Sequence, residues 1–236
     1  MITNKESGTN VHEIASGIYR ISTPVPGFTF NQYLILDDAP LLFHTGMRGI
    51  FPLVREAVAS IMPVEQLRYI SFSHFEADEC GSLNEWLAIA PQAEPVCGAL
   101  GAMLSINDFS NRPALVLADG EILSLGHHTV QWLDTAHVPH AWECGLMMER
   151  ETETLLCSDL FVQGGDRLPA LTDSDILEPS EEFRKQMDGY SHSKNTPAIL
   201  ERLAQLEPRT LACMHGSAWR GDGAQLIRAL AERLSQ

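Results

Sequence analysis

Four times along this chain a short apolar run with strand composition stops at a histidine or an acid. Residues 67–72 lead into Ser73 and His74, and residues 129–133 lead into Asp134 and then His137 and His140. Residues 154–157 lead into Ser158 and Asp159, and residues 210–212 into Cys213, Met214 and His215. In folds that mix strands and helices, groups at the C-terminal ends of strands face the functional crevice. Each of these places is therefore a candidate site position. Taken singly, each also has a plain structural reading, since a lone histidine packs and bonds like any polar side chain and an acid after a strand often serves a turn.

The rest of the chain supplies the scaffold for those strand ends. Runs 17–21, 32–36 and 40–43, separated by Pro24, Pro26, Gly27, Asp37 and Asp38, predict an opening antiparallel meander. Phe51, Val54, Ala57, Val58 and Ile61 recur at helical spacing before the strand at 67–72. A helix over 83–89, a strand near 95–97 and a helix-like segment near 100–109 follow, and then short strands at 114–117, 121–123, 129–133, 145–149 and 154–157. Helical spacing returns over 173–190 and 196–206, with a last strand at 210–212 and a closing helix at 224–234. Strand clusters with helices in both halves, and no Pro/Gly/Ser-rich linker, predict an α+β fold: a single-domain αββα sandwich.

Composition narrows the partners. The 236 residues carry 16 Lys plus Arg against 31 Asp plus Glu, a formal charge of −15, so neither nucleic acid nor an anionic membrane is an expected partner. Cys80, Cys97, Cys144, Cys157 and Cys213 are odd in number and include no CxxC pair, which suits a reducing compartment. With no signal-like N-terminus and no apolar stretch of membrane-spanning length, the expected location is cytoplasmic.

The densest chemistry lies in the segment Ser-Phe-Ser-His-Phe-Glu-Ala-Asp-Glu-Cys-Gly at 71–81. Alternate positions of an extended loop, here His74, Glu76 and Asp78, can point the same way. An imidazole and two carboxylates converging on one volume repel one another unless a cation sits between them. A polar loop capping a helix accounts equally for Asp78 and Glu79 on their own.

Together the four segments resemble the metallo-β-lactamase superfamily over nearly the whole chain. Eighteen residues separate His140 from Asp159, the superfamily's spacing between its middle histidine and its bridging aspartate, which selects His140 over His137. A local one-to-one match would instead put the ligand at His137. Zinc hydrolases of the superfamily usually carry HxHxDH in the first segment, whereas this chain reads HxExDE. Glutamate at the third place is similar to the di-iron domain of flavodiiron proteins, HxExDH, and a hard carboxylate favours iron over zinc. The resemblance implies two iron ions, one held by His74, Glu76 and His140, the other by Asp78 and His215, with Asp159 bridging them. The motif's last histidine is Glu79 here, which either completes the second set or turns away and leaves a position open; its different length favours the latter.

A second departure is length. Flavodiiron proteins continue into a flavodoxin-like domain, but this chain ends one helix after His215 and shows no flavodoxin phosphate loop, so FMN is not expected. The resemblance then implies a stand-alone module, similar to oxygen-binding di-iron proteins, that binds, reduces or senses O2, NO or peroxide. Its electrons would come from a separate flavodoxin- or rubredoxin-type donor, or a signalling partner would read its state, and a homodimer is possible in this family. Phe75, Trp142, Tyr190, His192 and Trp219 are candidates for the surrounding pocket, with Tyr190 or His192 able to donate a hydrogen bond there. The rival expectation is a metal-dependent hydrolase of a thioester, lactone or phosphodiester, in which a bridging water is the nucleophile. His12, His44, His127 and His128 are expected at the surface or behind the site, and Cys80 and Cys213 in packing.

Overall fold

The computed structural model describes residues 1–235. Two seven-stranded sheets pack face to face with helices on their outer sides. The first sheet runs in order through β1 (Asn10–Ala15), β2 (Ile18–Val25), β3 (Phe28–Ile35), β4 (Leu41–Phe43), β5 (Tyr69–Ser71), β6 (Glu94–Gly98) and β7 (Leu115–Leu117). Its first half is antiparallel. From β4 onwards the strands are parallel, so each needs a crossover: α1 (Phe51–Ala59) between β4 and β5, and α2 (Ala77–Cys80) with α3 (Leu83–Ile89) between β5 and β6.

The second sheet is built from β8 (Ile122–Ser124), β9 (Thr129–Asp134), β10 (Gly145–Glu149), β11 (Thr154–Ser158), β12 (Leu171–Thr172), β13 (Thr210–Cys213) and β14 (Ala218–Arg220), in the order β12-β14-β13-β11-β10-β9-β8. Side chains alternate between its faces. Met147, Leu156 and Ala212 point into the core shared with the first sheet, while Leu146, Met148, Leu155, Cys157, Leu211 and Cys213 point the other way. The outward set meets Leu200, Leu203 and Ala204 of α7 (Thr196–Ala204) and Ile227 and Leu230 of α8 (Gly223–Leu234). The whole run of β10 and β11 is buried because both faces are covered.

The αββα expectation and the meander hold. β2 and β3 reach further than the periodicity suggested, out to a hairpin in which Gly27 takes φ +77°. Three strands, the edge strands β1 and β12 and the short β14 beside β12, were not readable: β1 carries the adjacent exposed residues His12 and Glu13, and the other two are too brief for a period. The helix expected over 173–190 is α6 (Leu177–Arg184) alone. It begins where Asp175 Oδ1 accepts from Leu177 N at 2.8 Å, and the polar segment after Arg184 runs irregularly along the site. The segment near 100–109 is broken into α4 (Ala99–Gly101), a π-helical turn (Ala102–Ile106) and α5 (Asn107–Phe109).

Candidate metal centre

The strand ends named above meet at one rim of the sandwich. β5 delivers His74, and the loop into α2 delivers Glu76 and Asp78. The loop after β9 delivers His140, β11 delivers Asp159, and β13 delivers His215. Asp159 lies at the centre. Its Oδ2 is 3.6 Å from His74 Nε2 and 3.5 Å from His140 Nε2, while its Oδ1 is 3.2 Å from His215 Nε2. Glu76 Oε1 lies 3.4 Å from His140 Nε2 and 3.8 Å from His74 Nε2, and Asp78 Oδ2 lies 3.5 Å from His215 Nε2.

The far side of each ring fixes which nitrogen faces inward. His140 Nδ1–H donates to the Gly189 carbonyl at 2.7 Å, and His215 Nδ1–H donates to the Thr29 carbonyl at 2.8 Å. A carbonyl can only accept, so in the neutral ring Nε2 carries a lone pair. His74 Nδ1 is 2.8 Å from Ser73 Oγ, which also meets Ser158 Oγ at 2.7 Å and His44 Nε2 at 3.1 Å. Of the two places expected for His44, the surface or behind the site, it takes the second: it is fully enclosed behind His74 and Ser73, its Nδ1 2.9 Å from Met214 Sδ. Burial pushes its pKa down to about 3, so it is a neutral bracing ring.

Two imidazole lone pairs, those of neutral His140 and His215, therefore face carboxylates, and His74 Nε2 is 2.9 Å from His140 Nε2. Such an arrangement is repulsive without positive charge at its centre. The titration behaviour registers this need. Burial works against a charged His215, but Asp159 and Asp78 outweigh it and raise the ring to about 9. Burial likewise opposes ionisation of Asp159, yet His215 and the other imidazoles draw it down to about 2. Glu76 is lowered by hydrogen bonding to His140 and His74, and His140 is raised against its burial by Glu76 and Asp159. Three groups with metal-like donor spacing result at this rim, His74-Glu76-His140, His74-Glu79-Asp159 and Asp78-Glu79-His215, the ligand atoms of each lying within 4.8 Å of one another; His128-Glu149-Glu151 is a fourth.

The loop bearing His215 is held from the opposite sheet. Tyr33 Oη donates to the Cys213 carbonyl at 2.6 Å, Asn31 Nδ2 to the Cys213 and Gly216 carbonyls at 3.0 and 2.9 Å, and Arg20 to the Gly216 carbonyl at 2.7 Å. Gly216, at φ +95°, is packed against Gln163. These buried polar residues hold the ligand-bearing backbone, although their sequence positions lie among strand residues with no ligand-like company.

Beside the cluster is a cavity of about 210 Å³, walled by Phe28, Val162, Phe183, Met187 and Tyr190 and floored by Glu76, Asp78, His140, Asp159 and His215. Tyr190 is thus at the site. Its Oη takes the Phe161 N–H at 3.4 Å, and burial holds its pKa above the ordinary phenol range. His192 is not: it is exposed, 2.7 Å from Asp188 Oδ2, and absent from the cavity wall. His137, Trp142 and Phe75 face solvent, and Trp219 bonds the Ser174 carbonyl away from the cavity. Phe28 and Phe183, the aromatic walls, carry no sequence signal beyond being apolar. All five cysteines are free and buried, and burial pushes Cys97 up to about 12, which leaves no reactive thiol there.

Fold and site together define a metallo-β-lactamase-type domain with a carboxylate- and histidine-rich cluster at its rim. The sequence matches the family described as ODP family beta lactamase over residues 28–216, and the chain belongs to that family. It is similar to the rubredoxin-oxygen oxidoreductase of Megalodesulfovibrio gigas, 24% identical over 83% of this chain and 50% of that protein. The nitric oxide reductase of Moorella thermoacetica is 25% identical over 87% of this chain and 53% of its own length. The crystal structure of the flavodiiron protein from Giardia intestinalis superposes with a TM-score of 0.83 at 20% identity, covering 96% of this chain and 59% of that one. The chain spans between about a third and about half the length of the curated relatives it matches. Among the described residues, no helix is long and apolar enough to cross a membrane.

Proposed function

We propose that this chain is a non-heme di-iron domain that binds a small oxidant, O2 or the similarly sized NO or peroxide, and reduces or senses it. The observation that carries this reading is the central carboxylate of Asp159, with one oxygen towards the His74/His140 pair and the other towards His215. His74, Glu76 and His140 would hold one ion, Asp78 and His215 the other, and Asp159 would span both. Hard carboxylates beside imidazoles suit iron, and the names of the relatives, an oxygen oxidoreductase and a nitric oxide reductase, point to the same chemistry. Bound iron would supply the electrons that such an oxidant accepts.

The chain's own residues supply the rest. Phe28, Val162, Phe183 and Met187 set an apolar wall beside the carboxylate and imidazole floor of the cavity, whose roughly 210 Å³ leaves room for a small guest. Tyr190, whose oxygen accepts from Phe161 N, retains its own O–H to donate into the cavity. The Gly189 and Thr29 carbonyls hold His140 and His215 in the ligating tautomer. A rubredoxin- or flavodoxin-type protein is the expected class of electron donor for sustained turnover. Anaerobic loading with Fe(II), elemental analysis and exposure to O2 test the proposal. Visible charge-transfer absorption on exposure is expected, whereas a colourless protein that retains two zinc ions and hydrolyses an ester would identify the rival hydrolase.

A further inference from the structure

Glu79 stands where the flavodiiron pattern has its last motif histidine, and its surroundings differ from those of an ordinary buried acid. Its backbone is pinned: the Glu79 carbonyl accepts from Thr45 N at 2.7 Å, and Cys80 N donates to the Glu76 carbonyl at 2.9 Å, closing the single turn of α2. Gly81 lets that turn pack tightly, since a Cβ there would stand 2.3 Å from the Ala77 carbonyl oxygen. The side chain is 1% exposed, and neither carboxylate oxygen has a hydrogen-bond partner. Its Oε1 lies 3.8 Å from His74 Nε2, beyond bonding distance. Burying a carboxylate with no donor is costly, and the cost is relieved by a proton or by a cation bound beside it.

Glu79 belongs to two donor groups at once, with His74 and Asp159 on one side and with Asp78 and His215 on the other. We infer that Glu79 is a ligand shared by both metal positions, a second bridging carboxylate alongside Asp159. This rests on the two-metal reading above and adds to it. With Glu76, Asp78, Glu79 and Asp159 the site has four carboxylates, which balance two divalent ions, whereas a histidine in place of Glu79 leaves positive charge over. The extra anion favours the more highly charged metal state, so this site holds ferric iron more firmly than one built with histidine.

The test is anaerobic Fe(II) binding measured by competition with a chromogenic chelator, on the full chain and on Glu79→Gln and Glu79→His, with apo-protein thermal melts as the folding control. Wild type should bind two irons per chain. Glu79→Gln should weaken both equivalents at least about tenfold, while its apo form melts no lower than wild type because an unpaired buried carboxylate has gone. Glu79→His should retain two irons but alter the electron paramagnetic resonance of the half-oxidised pair, since one bridge is lost. Two equivalents bound by Glu79→Gln with wild-type affinity, or weakening of one equivalent only, overturns the shared-ligand role and leaves the two-metal reading standing. Failure of wild type to bind two irons overturns that reading itself.

Discussion

Ser73 is one hydroxyl with three neighbours, and its position makes it the tuning point for His74. Its Oγ stands 2.8 Å from His74 Nδ1, 2.7 Å from Ser158 Oγ and 3.1 Å from His44 Nε2, so it fixes the ring's orientation with Nε2 facing inward. Partners of this kind behind a metal-ligating histidine typically contribute 10- to 100-fold in affinity, roughly. Ser73→Ala should therefore fold and lose metal affinity by about that factor, measured by chelator competition, whereas His192→Ala should leave it unchanged. Glu149 shows the same logic applied to stability. It is fully buried, and its carboxylate accepts from His128 Nδ1, Glu151 N and Thr152 N, each at 2.9 Å. Burial raises its pKa, but a hydrogen bond from the Thr152 hydroxyl together with these bonds outweighs that and lowers it below the ordinary value of 4.5. A lowered native pKa means its stabilisation is complete above the unfolded glutamate value and is lost as the pH falls below it through the native one. Glu149→Ala should cost about 2–3 kcal/mol in urea unfolding at pH 7, with a smaller cost below pH ~4.

Elements carry a different kind of information, and their legibility in the sequence followed from what they bury. Strands β10 and β11 were readable because their apolar runs are covered on both faces; β12 and β14 were not, since two or three residues define no period. The convergence of the candidate residues at one rim was readable because they sit at strand ends, with His140 and Asp159 at a spacing a known family shares. The walls were not: Phe28 and Phe183 come from β3 and α6, and only the tertiary fold stacks Phe183 on Phe28 at 5.6 Å and Phe28 on the His215 ring at 4.3 Å. Nor was the support of the β13 end by Tyr33, Asn31 and Arg20, since it spans the sheets. Tyr33→Phe removes one of those bonds and should cost about 1–2 kcal/mol in urea unfolding while weakening metal binding at His215 more than at His74. In β10, a Cβ on Gly145 would fall 2.0 Å from the Trp132 ring, so Gly145→Ala should destabilise by roughly 1–3 kcal/mol through overpacking.

At the scale of the whole molecule, the donor set joins the two halves of the sandwich. His74, Glu76 and Asp78 come from the first sheet's β5 end, and His140, Asp159 and His215 from three strand ends of the second. Bound metal would stabilise only the folded arrangement, by about 3 kcal/mol at a hundredfold excess over Kd, which for a chain of this size is roughly 5–10 °C in Tm. A chelator should remove that increment. The formal charge of −15 is spread along the chain, but the carboxylates gathered at one rim are a local charge that bound cations would offset. The most direct test is therefore anaerobic titration of metal-free protein with Fe(II), followed by admission of O2. The account predicts two equivalents of iron bound per chain and visible absorption that develops on oxygenation and is absent in Asp159→Asn. Saturation at one equivalent or none, or two equivalents that give no optical change with O2, would contradict it.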